Sequence, residues 1–253
     1  MPMSLNEDQF ERFKVWFLRG EQDQQRVRRA ISELESRTSA EVLPLVVYQS
    51  SSYRFAYWRA VVAILVLTLL LSIVLVIVTP PAETLFNIVG RIILVLVVSN
   101  PILILLLHVF PTIRLIFTTQ AERRDIVRDS AMACFYRFGL ADTRDNSGVL
   151  LYISALEREV RILVDQGVAQ KVSRNRWDAL AERTQKLLNT GKGVYTVIEA
   201  IECMSAILGD SLPRRPDDEN ELPDLLVCRM PLEWNPSEED LVVREHLRGF
   251  TST

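Results

Sequence analysis

The chain has 253 residues, a net charge of −3 and 24% charged residues, ordinary values for a soluble protein with room for one or two domains. The averages hide a division. Residues 60–117 hold three charges (Glu83, Arg91 and Arg114) in 58 positions, so the other 195 residues are about 30% charged. That pattern excludes a wholly soluble chain, a pure membrane bundle and a disordered one, and the balanced charge argues against a nucleic-acid binder. Three cysteines with no CxxC pair exclude a disulfide framework and the usual zinc spacings, and they suit a reducing compartment.

In chain order, residues 7–18 place Phe10, Phe13 and Phe17 on one face of a short amphipathic helix. A second helix over 21–37 puts Val27, Ile31 and Leu34 on its inner face, and a β-branched strand follows at 41–48. Residues 60–78 are nineteen positions without a charge, about the ~20 that a ~30 Å hydrocarbon core requires. A second run of nineteen, 92–110, is interrupted by Asn100, Pro101 and His108. Asn100-Pro101 reads as a proline kink, and His108 as interfacial. Neither run shows a polar face, so both are expected to cross a bilayer, joined by the short loop 79–91. Tyr53, Phe55, Tyr57 and Trp58 form an aromatic belt before the first span. Arg54 and Arg59 precede the spans and Arg114, Arg123, Arg124 and Arg128 follow them, while the loop offers only Arg91. The positive-inside rule then places both polar parts in the cytoplasm.

Beyond the spans, residues 119–138 predict a helix with Val127, Ala131, Cys134, Phe135 and Phe138 inward and Gly139 at its C-cap. Strands at 148–154 and 159–165 read as a β-hairpin, followed by helices at 174–189 and 194–208. One upstream strand and a downstream hairpin make a sheet only if they join. The expected fold is therefore α/β, a small mixed sheet sandwiched by helices and interrupted by a two-helix transmembrane hairpin. Its parts are an N-terminal amphipathic helix (1–20), a split α/β domain (21–48 and 118–209), the membrane hairpin (56–117) and an acidic, proline-containing tail (210–253). The tail reads as loosely held, and its acidic run at 217–221 as solvated.

With histidines only at 108 and 246, no Ser-His-Asp, Cys-His or metal-histidine set is available, and Gly191-Lys192-Gly193 lacks P-loop spacing. Chemistry would rest on acids. Asp142, Asp145 and Asn146 precede the first hairpin strand and Asp165 follows the second, so three carboxylates could converge on Ca²⁺ or Mg²⁺, with Arg144 stabilising charge in an enzyme. The same residues read more simply as a strand entry and a strand exit, because Asp, Asn and Gly form turns. Glu41 at the start of the first strand is a further candidate with the same two readings.

The order helix, TSAEVLPLVV, a helix ending ACFYRFGLADTRDNSGVLLYISALEREVRILVDQGV, then two helices, resembles the TPM domain family. That family is named for thylakoid-lumen, photosystem-repair and receptor-modulator proteins. The tail LPRRPDDENELPD is similar to the ending of a bacterial membrane subgroup. The resemblance implies an α/β/α sandwich, and some members are described as acid phosphatases or divalent-metal binders. The expected function is a cytoplasmic interaction or regulatory module. It would sit in the lipid bilayer of a bacterial inner membrane and support a membrane-protein complex, with a metal-dependent phosphatase acting on phosphomonoesters as the alternative.

Overall fold

The structure, a computed structural model, describes residues 4–78, 89–90, 93–94, 97–98, 100–102, 104–106, 110–217, 220–222 and 225–229. In chain order these form α1 (Ser4–Phe17), α2 (Glu21–Glu35), β1 (Glu41–Val47), α3 (Arg54–Val78), α4 (Pro111–Ile116) and α5 (Gln120–Arg137). There follow β2 (Gly148–Ser154), β3 (Glu159–Val164), α6 (Gln166–Ala169), α7 (Arg174–Asn189), α8 (Val194–Ser211) and β4 (Val227–Arg229). The chain divides into two compact units, residues 1–52 with 123–253, and residues 53–122.

The first unit is a mixed α/β fold built on a four-stranded sheet in the order β3-β2-β1-β4. β1 is parallel to β2 along its whole length, from Glu41↔Gly148 to Val47↔Ser154. β2 and β3 form the expected hairpin, and β4 runs parallel to Leu45–Val47. Every residue of β1 and β2 is buried, as a strand covered on both faces requires. Leu43, Leu45, Leu150 and Tyr152 pack under Val127, Ala131, Cys134 and Phe135 of α5. On the other face Val42, Val46, Val149, Leu151 and Ile153 meet α1, α2, α7 and α8. The α2 stripe Val27, Ile31 and Leu34 is fully buried there, and each side chain contributes about 1.5–3 kcal/mol of transfer free energy.

The ends of α5 are set by sequence chemistry. At its start the Thr119 amide donates to Glu122 Oε2 (2.8 Å) and the Glu122 amide to Thr119 Oγ1 (3.2 Å), a reciprocal capping box. At its end Gly139 takes φ +72°, which lets the Leu140 amide reach back to the Phe135 carbonyl at 3.1 Å.

The described residues of the tail, 210–217, 220–222 and 225–229, are not loosely held, and for them this corrects the sequence expectation. Leu212, Leu222, Leu226 and Val227 are buried, and β4 is the fourth strand of the sheet. Their apolar area goes into the two clusters on either face of the sheet, which outweighs the polar character of the intervening residues.

In the second unit, α3 is a continuous 25-residue helix with strongly exposed apolar side chains, including Leu67 at 66% and Ile77 at 76%. Its stretch Arg54–Val74, 21 residues of mean hydropathy 2.2, is long and apolar enough to cross a membrane. Among the described residues it is the one helix that meets those criteria. The second expected span, 92–110, and the loop 79–91 lie for the most part outside the described residues. Within this unit Arg59 Nη1 pairs with Glu122 Oε1 at 2.8 Å.

Candidate functional site

The predicted acidic residues lie where β2 begins and β3 ends. The Asp165 amide donates to the Gly148 carbonyl (2.9 Å) and the Gly167 amide to the Asn146 carbonyl (3.0 Å), so the two loops run backbone against backbone. Gly167 is required there, because a Cβ would stand 2.3 Å from the Asp145 carbonyl oxygen. Asn146 takes φ +51°, which asparagine tolerates better than most residues, and the Thr143 hydroxyl accepts from the Ser147 amide at 3.0 Å.

The carboxylates in these loops have separate tasks. Asp165 Oδ1 accepts from the Gln166 amide at 2.7 Å and caps α6. Asp145 forms an ion pair with Arg215, and Asp142 is exposed. Among the described residues, no group of three or more His, Cys, Asp or Glu side chains stands close enough to hold a metal ion. In this arrangement the Arg215 guanidinium neutralises Asp145, and Asp165 uses Oδ1 as a helix cap while its Oδ2 is buried without a hydrogen-bond partner. Arg144, read as a charge stabiliser, is also engaged, through Nη2 to Asp217 Oδ2 (3.2 Å) and through its amide to the Glu221 carboxylate (3.0 Å).

What closes this end of the sheet is a strap formed by residues 212–217 and 220–222. The Thr38 hydroxyl donates to the Leu212 carbonyl at 2.6 Å, and the Arg215 amide donates to Ser39 Oγ at 3.0 Å. Glu41 is 5% exposed and accepts from the amides of Glu221 and Leu222, each at 3.2 Å. Glu41 thus anchors the strap through a buried carboxylate. The acidic positions Asp217 and Glu221, expected to be solvated, are partners of Arg144: its guanidinium pairs with Asp217 and its backbone amide donates to Glu221. Arg215 and Glu221 were not legible as site residues. Their partners lie 70 to 180 positions away in sequence, and the only local signal was a proline-marked charged run.

A second cluster, also absent from the sequence reading, occupies the opposite end of β1 and β2. Ser50 Oγ donates to Ser154 Oγ (2.8 Å), which donates to Glu157 Oε2. Tyr152 OH lies 3.0 Å from Ser50 Oγ and 2.8 Å from Ser130 Oγ. Each hydroxyl has one hydrogen to give, so the chain of donors runs Ser130, Tyr152, Ser50, Ser154, Glu157. The Ser50 amide adds a bond to Glu157 Oε1 at 2.9 Å. Burial, with the neighbouring Cys134 second, pushes the Tyr152 phenol far above its usual range, although the bonds with Ser130 and Ser50 pull the other way. Tyr152 therefore stays protonated at physiological pH. Ser154 and Tyr152 are fully buried, so this network clamps the strand ends and offers no nucleophile to a substrate. Its trace in the sequence was the polar pair Tyr152 and Ser154 at i and i+2 of an otherwise apolar strand.

The family model of the TPM domain matches residues 111–203, from α4 into α8. The likeness to the TPM domain is to this segment of the chain. The matched span holds α5, the hairpin and the Asp142–Asp165 loops, whereas β1, the strap and β4 lie outside it. No curated protein matches the chain. Among solved structures, the NMR structure of the BA42 protein from the psychrophilic bacterium Bizionia argentinensis is similar at 17% identity and a TM-score of 0.49. That similarity covers 83% of this chain and 94% of the other.

Proposed function

We propose that this TPM-domain chain is a membrane-anchored module of a bacterial inner membrane, spanning twice, with its α/β unit on the cytoplasmic side. There it serves as an interaction or regulatory partner of a membrane-protein complex. The observation that carries this reading is α3, whose 25 residues expose leucine, isoleucine and valine side chains along their length. Leaving such a surface in water costs about 25 cal/mol per Å² of apolar area, and a bilayer removes that cost. The orientation rests on six arginines flanking the two apolar runs against one in the loop between them.

An interaction role is favoured over the phosphatase alternative by how the acidic end is used. Asp145, Arg144 and Glu41 hold a strap of the same chain, and the buried hydroxyls at the far end are closed to substrate. Extraction of cell membranes with alkaline carbonate, followed by crosslinking of the retained fraction, tests both parts. The chain is expected to stay in the pellet and to crosslink to a specific membrane protein. Release into the supernatant would remove the anchor, and hydrolysis of a generic phosphomonoester by the purified chain would restore the phosphatase.

A further inference from the structure

In the hairpin turn between β2 and β3, one residue is at odds with its local backbone. Ser154 pairs with Glu159 across the strand ends, so the four residues Ala155–Arg158 make the turn. The last of them, Arg158, is exposed and holds φ +54°. Glycine takes that left-handed conformation freely and asparagine with little strain, whereas a long L side chain is disfavoured there. Nothing inside the fold offsets this strain through the guanidinium, since Arg158 has no hydrogen-bond or ion-pair partner among the described residues.

The turn is fixed beside the stretch by which the chain leaves the α/β unit. The Leu156 amide donates to the Tyr48 carbonyl at 2.9 Å. Glu157 has both carboxylate oxygens engaged, Oε1 by the Ser50 amide at 2.9 Å and Oε2 by the Ser154 hydroxyl. Ser50 stands four residues before Arg54, where the apolar stretch Arg54–Val74 begins, so at most ~14 Å of backbone separates them. A bilayer crossed by that stretch brings its headgroups to this end of the sheet. A second positive centre adjoins the turn. Glu159, a buried carboxylate, faces two guanidiniums, Arg124 Nε at 3.4 Å and Arg161 Nη2 at 4.0 Å. One carboxylate between two cations leaves a positive charge over, and Arg161 Nε is buried without a hydrogen-bond partner.

We propose that Arg158, together with the charge left over at Arg124 and Arg161, binds the phosphate of an anionic lipid headgroup at the membrane surface. A guanidinium is a planar fork of donors that matches phosphate oxygens, and an exposed turn tip can present it without disturbing the sheet. A lipid is favoured over free phosphate by the place of the turn, at the end from which the chain passes to its apolar stretch. This proposal rests on the membrane-anchored reading and names a lipid contact that the reading would use.

Native mass spectrometry of the full chain in a mild detergent tests it, with phosphatidylglycerol, phosphatidylcholine or inorganic phosphate added. The parent is expected to hold phosphatidylglycerol at least about fivefold more tightly than phosphatidylcholine, and Arg158→Gly to lose about fivefold of that preference, the effect of one arginine at an anionic surface. Arg158→Lys keeps the charge and should keep most of the preference. Because glycine relieves the strained turn, the thermal midpoint of Arg158→Gly should stay at or above that of the parent. Should that variant fold poorly, Arg158→Asn makes the same comparison. In nanodiscs, amide exchange over residues 155–159 of the parent should slow severalfold when phosphatidylglycerol replaces about a third of the phosphatidylcholine, and in Arg158→Gly it should not. A lipid preference unchanged in Arg158→Gly or Arg158→Asn overturns the proposal. So does a midpoint well below the parent in both variants, which would give the side chain a role in the fold. Inorganic phosphate that binds and displaces phosphatidylglycerol would reassign the site to a soluble phosphate and also overturns it. Failure of the anchor reading shows differently, as a chain that does not enter nanodiscs, whereas failure here leaves an embedded chain without a headgroup preference at Arg158.

Discussion

Glu41 and Asp145 are both carboxylates of the strapped end, and their different surroundings predict different costs on mutation. Glu41 is 5% exposed and accepts two backbone amides of the strap, so Glu41→Ala removes the acceptor of the Glu221 amide and leaves the Leu222 amide with Asn220 Oδ1. A loss of about 1–3 kcal/mol is expected, read as the shift in a denaturant midpoint at constant m. Asp145 pairs with Arg215 across a surface where both side chains are about 40% exposed, and solvent screening limits Asp145→Asn to under about 1 kcal/mol. Equal losses for the two variants would contradict this ordering. At the other end of the sheet, Tyr152→Phe breaks the donor chain between Ser130 and Ser50, and should cost about 1–2 kcal/mol at pH 7. Because the folded-state phenol lies above its unfolded value of 10, its contribution is complete below pH 10 and is lost as pH rises above that. Tyr152→Phe should therefore narrow the gap to the parent in alkaline titration beyond pH 10. A gap that is constant with pH would show that Tyr152 is not held neutral by the fold.

Elements whose residues repeat with a clear period were legible in the sequence. The α2 stripe of Val27, Ile31 and Leu34, the α5 stripe ending at Phe138, and the Gly148–Ser154 strand all stand where periodicity put them, because each buries a face large enough to impose that period. β4 was not legible: three residues carry no period, and its register is fixed by Leu45–Val47, some 180 positions upstream. The acidic loops were found by composition, but which cation answers Asp145 is a tertiary fact, decided by the path of the strap to Arg215. The split of the α/β unit has its own consequence. Ser50, two residues before that unit's first chain break, and Ser130, early in its second segment, bond to the same Tyr152 hydroxyl. The two chain exits of this unit are therefore close to each other. Replacing residues 53–122 by a flexible linker of about ten residues, which spans up to ~33 Å, should give a soluble protein with one cooperative unfolding transition. Two separate transitions, or aggregation under all conditions, would count against the unit folding without its insertion.

At the scale of the whole molecule, the chain joins a charged α/β unit to an apolar unit built around α3, and the proposed function depends on a bilayer separating the loop from everything else. The proposed direction rests on the arginine distribution, which would put Arg54, Arg59, Arg114, Arg123, Arg124 and Arg128 on one side and Arg91 on the other. Cysteine accessibility in intact cells tests this most directly, with Cys134→Ala, Cys203→Ser and Cys228→Ser as background and single cysteines introduced by Glu83→Cys or Arg214→Cys. The account predicts that a membrane-impermeant maleimide labels Glu83→Cys in intact cells and reaches Arg214→Cys only after the membrane is permeabilised. Labelling of Arg214→Cys in intact cells, or protection of Glu83→Cys there, would contradict it.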